Sequence, residues 1–189
     1  MAKTQFGPRT MLYPIPAFII GANVNGKANF MTAAWCGIVN SEPPMVSVGI
    51  RHQRHTYKGI KENMTFSVNV PSTDIVKETD YIGIASGAKV DKVKVCKFDV
   101  FYGKLLTAPL LEQCPVNLEC KVVQILDLGT HALIVGKIEE SYVSDSCLTD
   151  NKPDVDKIKP FVFSGNKYYA YGKAVAQAFN AGKELTASE

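Results

Sequence analysis

The chain lacks the cysteine pattern of a disulfide framework or a zinc knuckle. Its five cysteines, Cys36, Cys96, Cys114, Cys120 and Cys147, are odd in number, and no two form a C-x-x-C. Free thiols in a reducing compartment are the expected state. No apolar run approaches the roughly 20 residues that a membrane span needs, so no membrane association is expected. The first residues hold no long apolar segment and are broken by Pro8, Pro14 and Pro16. No secretory signal is read there, and a cytoplasmic location is expected. Charge of one sign is not in excess. The net charge is +3, from 21 Lys and Arg against 18 Asp and Glu, and the two signs mostly alternate. Nucleic-acid binders concentrate positive charge on one face, so no nucleic-acid partner is expected. Also missing are G-x-G-x-x-G, G-x-x-x-x-G-K-[ST] and a regular strand–helix alternation. A Rossmann or P-loop nucleotide site is not expected.

What remains is an ordinary globular composition: 189 residues, 46% hydrophobic and 21% charged. That length suits one domain over 1–189, with a core from about residue 12 to 175 and a fraying tail, GKELTASE. Short strands dominate the pattern. Ala17 to Val24 is rich in β-branched and aromatic residues, and Asn25-Gly26 is a strong hairpin signal. The chain returns through Ala28 to Val39, turns at Ser41-Glu42-Pro43-Pro44, and continues as a strand from Met45 to Arg51. Thr56 is placed to cap a short helix reaching about Asn63. A strand from Met64 to Val70 and a helix from Ser72 to about Ala85 follow, the helix with Ile75, Thr79 and Ile82 on one face. A basic, irregular stretch runs through GAKVDKVKVCK.

The second half alternates again. In Val116 to Leu126, Leu118, Cys120 and Val122 oppose Glu119 and Lys121, which places the charged residues outward. His131 to Val143 is a long strand, and Asp145 to Pro160 reads as an exposed loop. A hairpin is expected around Gly165-Asn166, then a short helix from Lys173. Many short strands with two or three short helices indicate a closed or partly closed antiparallel barrel.

Two segments can carry chemistry. The run Arg51-His52-Gln53-Arg54-His55-Thr56 lies where a strand ends and a helix begins. Free N–H groups and the positive end of a helix favour a phosphate there. Arg51 and Arg54 can give forked, charge-assisted hydrogen bonds, and His55 and Thr56 add donors. A set of solvated loop charges is the alternative. Metal binding by His52 and His55 lacks a third ligand nearby. The second segment is Asn29 to Cys36. On one continuous strand, Asn29, Met31, Ala33 and Trp35 share a face, and Phe30, Thr32, Ala34 and Cys36 share the other. The small Ala33 and Ala34 let a flat ligand approach the backbone. A core tryptophan with two filler alanines is the alternative, and the commoner arrangement for a lone Trp.

The order N-x-M-T-x-x-W, S-x-x-P-P, a strand ending in Arg, then H-T, resembles the flavin reductase-like family of FMN-binding split barrels. The A-A-W form with a following Cys36 is most similar to its flavoredoxin branch. Ser86-Gly87 with Asp91-Lys92, Gly129-x-His131, Val135-Gly136 and Tyr168-Tyr169-x-Tyr171-Gly172 extend the likeness from about Pro14 to Gly172. The resemblance implies a mainly β, Greek-key split barrel that forms a homodimer and holds non-covalent FMN. It implies that the flavin ring lies along Asn29, Met31, Thr32, Ala33, Ala34, Trp35 and Cys36. It implies a phosphate held by Arg51, His55 and Thr56, with help from the loop Ser86 to Lys92; without the resemblance, Lys92 reads as a surface lysine. His131 corresponds to a histidine near the open face of the flavin, with a satisfied histidine at a strand start as the alternative; many relatives have Gly-Asp-His where this chain has Gly129-Thr130-His131. The implied activity is an FMN oxidoreductase or electron carrier, reduced by NAD(P)H or by a ferredoxin- or cytochrome-type donor and passing electrons to a flavin, ferric or protein acceptor. A module that binds FMN or another phosphoryl ligand without turnover is the alternative.

Overall fold

The computed structural model describes residues 1–185. Residues 186–189 of the expected fraying tail lie outside the described residues. Seven strands form the main sheet: β1 (Phe18–Val24), β2 (Lys27–Ala33), β3 (Cys36–Ser41), β4 (Pro44–Arg51), β5 (Thr65–Val70), β6 (Val116–Asp127) and β7 (His131–Val143). Their spatial order is β2-β1-β5-β6-β7-β4-β3, with every paired ladder antiparallel. The expected Asn25-Gly26 turn joins β1 to β2, with φ of 50° and 75°, as a two-residue hairpin of this type requires.

The expected single strand from Ala28 to Val39 is two strands. β2 and β3 are the two edges of the sheet, and only Ala34 and Trp35 separate them in sequence. Three Cα steps of 3.8 Å span at most about 11 Å. The sheet must therefore curl until its edges nearly meet. The result is a barrel split at Ala34-Trp35 rather than closed by hydrogen bonds.

Alternation sorts the side chains between two cores. Ile20, Met31, Val48, Ile50, Phe66 and Ile134 fill the inside of the curled sheet. Ile19 and Phe30, one residue away from Ile20 and Met31 along their strands, join Ile82, Phe98 and Leu111 in a second core outside it. That outer core is covered by α2 (Val76–Ile84) and flanked by α3 (Lys92–Cys96). α2 buries Thr79 and Ile82, and Ile75, the last residue of a 3-10 turn (Thr73–Ile75) that precedes the helix, packs against the same outer core. α3 lies in the stretch expected to be irregular; Asp91 caps it, its side chain accepting from Lys94 N at 3.0 Å.

Three further expectations are corrected. Glu119 is fully buried rather than outward. Its carboxylate accepts from the backbone N–H of Lys104 and Leu105 and from the Tyr142 hydroxyl, each at 2.9 Å, so the segment around residues 102–108 covers that face. The expected loop 145–160 carries a short helix, α4 (Val155–Ile158), capped by Asp154. No helix begins at Lys173; the described tail has only a 3-10 turn at Ala181–Glu184. The late hairpin forms as expected from β8 (Phe161–Ser164) and β9 (Lys167–Ala170), and it pairs with the short strand Ile15–Pro16 in a sheet of its own.

Candidate functional site

Helix α1 (His55–Asn63) starts four residues after β4 ends. Arg54, not Thr56, stands at the cap position, and its side chain makes no cap bond. Its guanidinium instead reaches across to α2, Nη1 donating to Gly83 O at 2.9 Å. Thr56 is buried in the first turn, where its hydroxyl accepts from Asn29 Nδ2 at 2.7 Å. That bond fixes the helix start against β2. His55 Nδ1 is buried and, among the described residues, has no hydrogen-bond partner. A buried orphan nitrogen is costly unless a ligand supplies its partner. Burial, then Lys58 and Lys92, holds His55 below the usual histidine range.

Lys92 is not a surface lysine. It is 4% exposed, and its ammonium donates to Phe30 O at 2.8 Å and Ile82 O at 2.7 Å. An ammonium has three donors, so one remains. Burial, and then the charge of Arg54, lowers Lys92 to about 8. Gly87 closes the same corner. A Cβ there would lie 1.9 Å from Asn29 Oδ1, so a larger residue would push on the Asn29–Thr56 bond.

These groups surround two adjoining cavities. The first, about 400 Å³, is lined by Arg51, Arg54, His55, Thr56, Ser86 and Lys92 among others. Its charged walls are all basic, and it opens on the first turn of a nine-residue helix, which suits an anion such as phosphate. The second, about 500 Å³, is lined by Met31 to Trp35, Gly49, the end of α2, His131, Phe163 and Tyr168. Met31, Arg51 and Arg54 line both. One ligand with a flat apolar part and a phosphoryl group can thus span them.

The second cavity shows where strand alternation stops. Phe30 and Met31 point to opposite cores as expected, but Cys36 packs against the inner core, opposite to Phe30. The break at Ala34-Trp35 resets the alternation. Neither Cys36 nor Asn29 lines either cavity: Asn29 acts from behind through Thr56, and Cys36 is a packing residue. Burial pushes the Cys36 thiol up to about 12, so it holds its proton at neutral pH. Met31, Thr32, Ala33, Ala34, Trp35, Arg51, Arg54, His55, Thr56, Ser86, Lys92 and His131 all line one cavity or the other.

Trp35 is not a core residue. It is 47% exposed and stacks on His131, with ring centroids 4.7 Å apart and a 33° tilt. Sheet register places His131 directly opposite Arg51. Burial, followed by Arg51 and His52, holds His131 below its ordinary value, and Thr130 Oγ1 lies 2.8 Å from its Nδ1. His52 is committed elsewhere, at 2.9 Å from Gly129 O and 3.3 Å from Asp127. Among the described residues no group of three metal-ligating side chains forms, and no helix is long and apolar enough to cross a membrane.

Sequence reasoning missed Asp80, Gly83 and Ile84, which α2 presents to the ring-sized cavity, and Phe163 of the late hairpin. The spacing of 80, 83 and 84 on one helix face was the available signal.

Comparison with known proteins agrees with this geometry. The pattern of the flavin reductase like domain matches residues 10–172. The flavoredoxin structure from Methanosarcina acetivorans is 41% identical, covers 98% of this chain and all of its own, and superposes with a TM-score of 0.94. Flavoredoxin of Desulfovibrio vulgaris (Miyazaki F) is 35% identical, covers 96% of this chain and all of its own, and has a TM-score of 0.89. An uncharacterized protein of Archaeoglobus fulgidus is 35% identical over 145 residues, 77% of this chain and 81% of its own. With the split barrel, the paired cavities and a matched span covering most of its length, this chain belongs to the flavin reductase like family.

Proposed function

We propose that the chain is an FMN-dependent electron carrier. One observation carries this reading: a basic cavity at the start of α1 adjoins a flat, ring-sized cavity, and Arg51 and Arg54 line both. FMN has one phosphate at one end and one flat ring system at the other. FAD would need room for a second phosphate and an adenine. Arg51, Arg54 and Lys92 would hold the phosphate by charge-assisted hydrogen bonds, and His55 would give its orphan nitrogen a partner. Trp35, Met31 and the alanines between them would bound the ring. Bound FMN supplies the redox chemistry, accepting a hydride or single electrons; the protein supplies position and electrostatics.

The flavoredoxins at 41% and 35% identity support an electron carrier; a ferredoxin- or cytochrome-type protein is the donor proposed for it. The second reading is an NAD(P)H-dependent reductase passing electrons to a flavin or ferric acceptor. The third is a module that binds without turnover. Reduction of the FMN-loaded protein by NADH, NADPH and reduced ferredoxin, followed side by side at 450 nm, separates them. Fast bleaching by ferredoxin with negligible bleaching by either nucleotide is expected. Fast bleaching by a nucleotide makes it a reductase, and no bleaching by any donor makes it a binding module.

The working unit is a homodimer. Met11, Leu12 and Tyr13 of the N-terminal arm and Ile38 and Val39 of β3 are all more than half exposed, and Met11, Leu12 and Trp35 line a common cavity. Burying this apolar surface against a second copy would also shelter the ring-sized cavity. Light scattering should return twice the chain mass; a persistent monomer contradicts it. All five cysteines are free thiols, which supports a reducing, cytoplasmic setting.

A further inference from the structure

Among the described residues, Asp80 is the one acid lining the ring-sized cavity, where Arg51, Arg54 and His131 are the basic groups. It forms no ion pair among the described residues. Its one hydrogen-bond partner is Tyr168, whose hydroxyl donates to Asp80 Oδ1 at 2.9 Å. Among the described residues Oδ2 has no hydrogen-bond partner. Both residues are half-buried, where a charge is screened less than on an open surface. Tyr168 is packed edge-on against Phe161 and tilted against Phe163, so its hydroxyl is held in place.

We propose that Asp80 holds down the reduction potential of the bound flavin, and that Tyr168 sets how much of the Asp80 charge the flavin feels. The proposal rests on the assignment of this cavity to the flavin ring. Reduction adds two electrons. When fewer protons than electrons arrive, the ring becomes more negative, and a fixed carboxylate beside it opposes the change. Arg51 and Arg54 act in the other sense. A hydroxyl that donates to the carboxylate draws its charge away from the ring. Burial, followed by the bond to Asp80, pushes the Tyr168 phenol up to about 12, so it stays a donor throughout the working range.

The test is the midpoint potential of the FMN-loaded protein, measured with dithionite as reductant against a reference dye. Asp80→Asn should raise the preference for reduced over oxidised FMN about tenfold, or about 30 mV for a two-electron couple. Asp80→Ser should move it the same way and serves if the Asn variant does not fold. Tyr168→Phe should move it in the opposite direction. Neutral Asp80 variants that leave the potential unchanged or lower it overturn the proposal. So does a Tyr168→Phe variant whose potential is unchanged or raised, which would make the pair a latch for the late hairpin. A wild-type chain that takes up no FMN removes the underlying assignment, and that outcome shows before any variant is made.

Discussion

The two adjoining cavities are built in different ways. The basic one takes most of its wall from two short runs of chain, residues 51–56 and 85–92. The ring-sized one draws on β2, β4, α2, β7 and the late hairpin, from Met31 to Tyr168. Charge and a helix start make the first; topology makes the second. Changes to groups that line the first alone, such as His55 and Lys92, should therefore act on the phosphate through single hydrogen bonds and charges, while Arg51 and Arg54 line both. Changes to the second should act on the ring, through shape and field.

The largest effect expected is from Arg51→Ala. Loss of a charge-assisted hydrogen bond of about 1.5–3 kcal/mol weakens FMN binding roughly ten- to a hundred-fold. Riboflavin, which has no phosphate, should lose much less. Equal losses for both ligands, by fluorescence titration, would show that Arg51 serves the ring rather than the phosphate.

Lys92 gives the next effect, and its sign is fixed by linkage. In the free protein its ammonium is lowered to about 8, below the usual lysine value of about 10.4. The unfolded chain thus binds the extra proton between those two values, and the ligand-free fold gains stability as pH rises through that window. A phosphate beside Lys92 favours the charged form and raises its pKa. FMN binding then takes up a proton above about pH 8, and affinity falls as pH rises from 8 to 10, by up to about tenfold per unit. Lys92→Met should bind more weakly at pH 7 and show no such fall. A wild-type affinity that is flat across this range would place Lys92 off the phosphate.

The smallest effect belongs to Cys36, which borders neither cavity. Its thiol is buried and pushed up to about 12, so little thiolate is present at neutral pH. Cys36→Ala should leave FMN affinity and the rate of flavin reduction within about twofold, at a stability cost of no more than about 1–2 kcal/mol for the small void. A slowed reduction in stopped flow would give the thiol a redox role.

Legibility in the sequence followed the same division. The basic cavity was readable because residues 51–56 are contiguous, and β4 ending beside α1 is a local event. The hairpin at Asn25-Gly26 and the face of α2 were readable for the same reason. The break at Ala34-Trp35 was not. Its residues continue an alternating pattern, and only the curl of the sheet forces the chain to change edges there. Glu119 also follows the alternation, and it is buried because a segment some 15 residues away folds over it and supplies the donors. Lys92 looked like one lysine in a basic run. Nothing local announced that Phe30 and Ile82 would offer it two carbonyls. Family resemblance supplied Lys92 and the proposed ring-binding role of residues 31–35, where local physics left alternatives open.

The proposed function requires one ligand to span both cavities, ring in one and phosphate in the other. Titration of the flavin-stripped protein with FMN and with riboflavin tests it most directly. The prediction is one FMN per chain with quenched flavin fluorescence, and riboflavin at least tenfold weaker. Riboflavin binding as tightly as FMN, or no uptake of either, would contradict it.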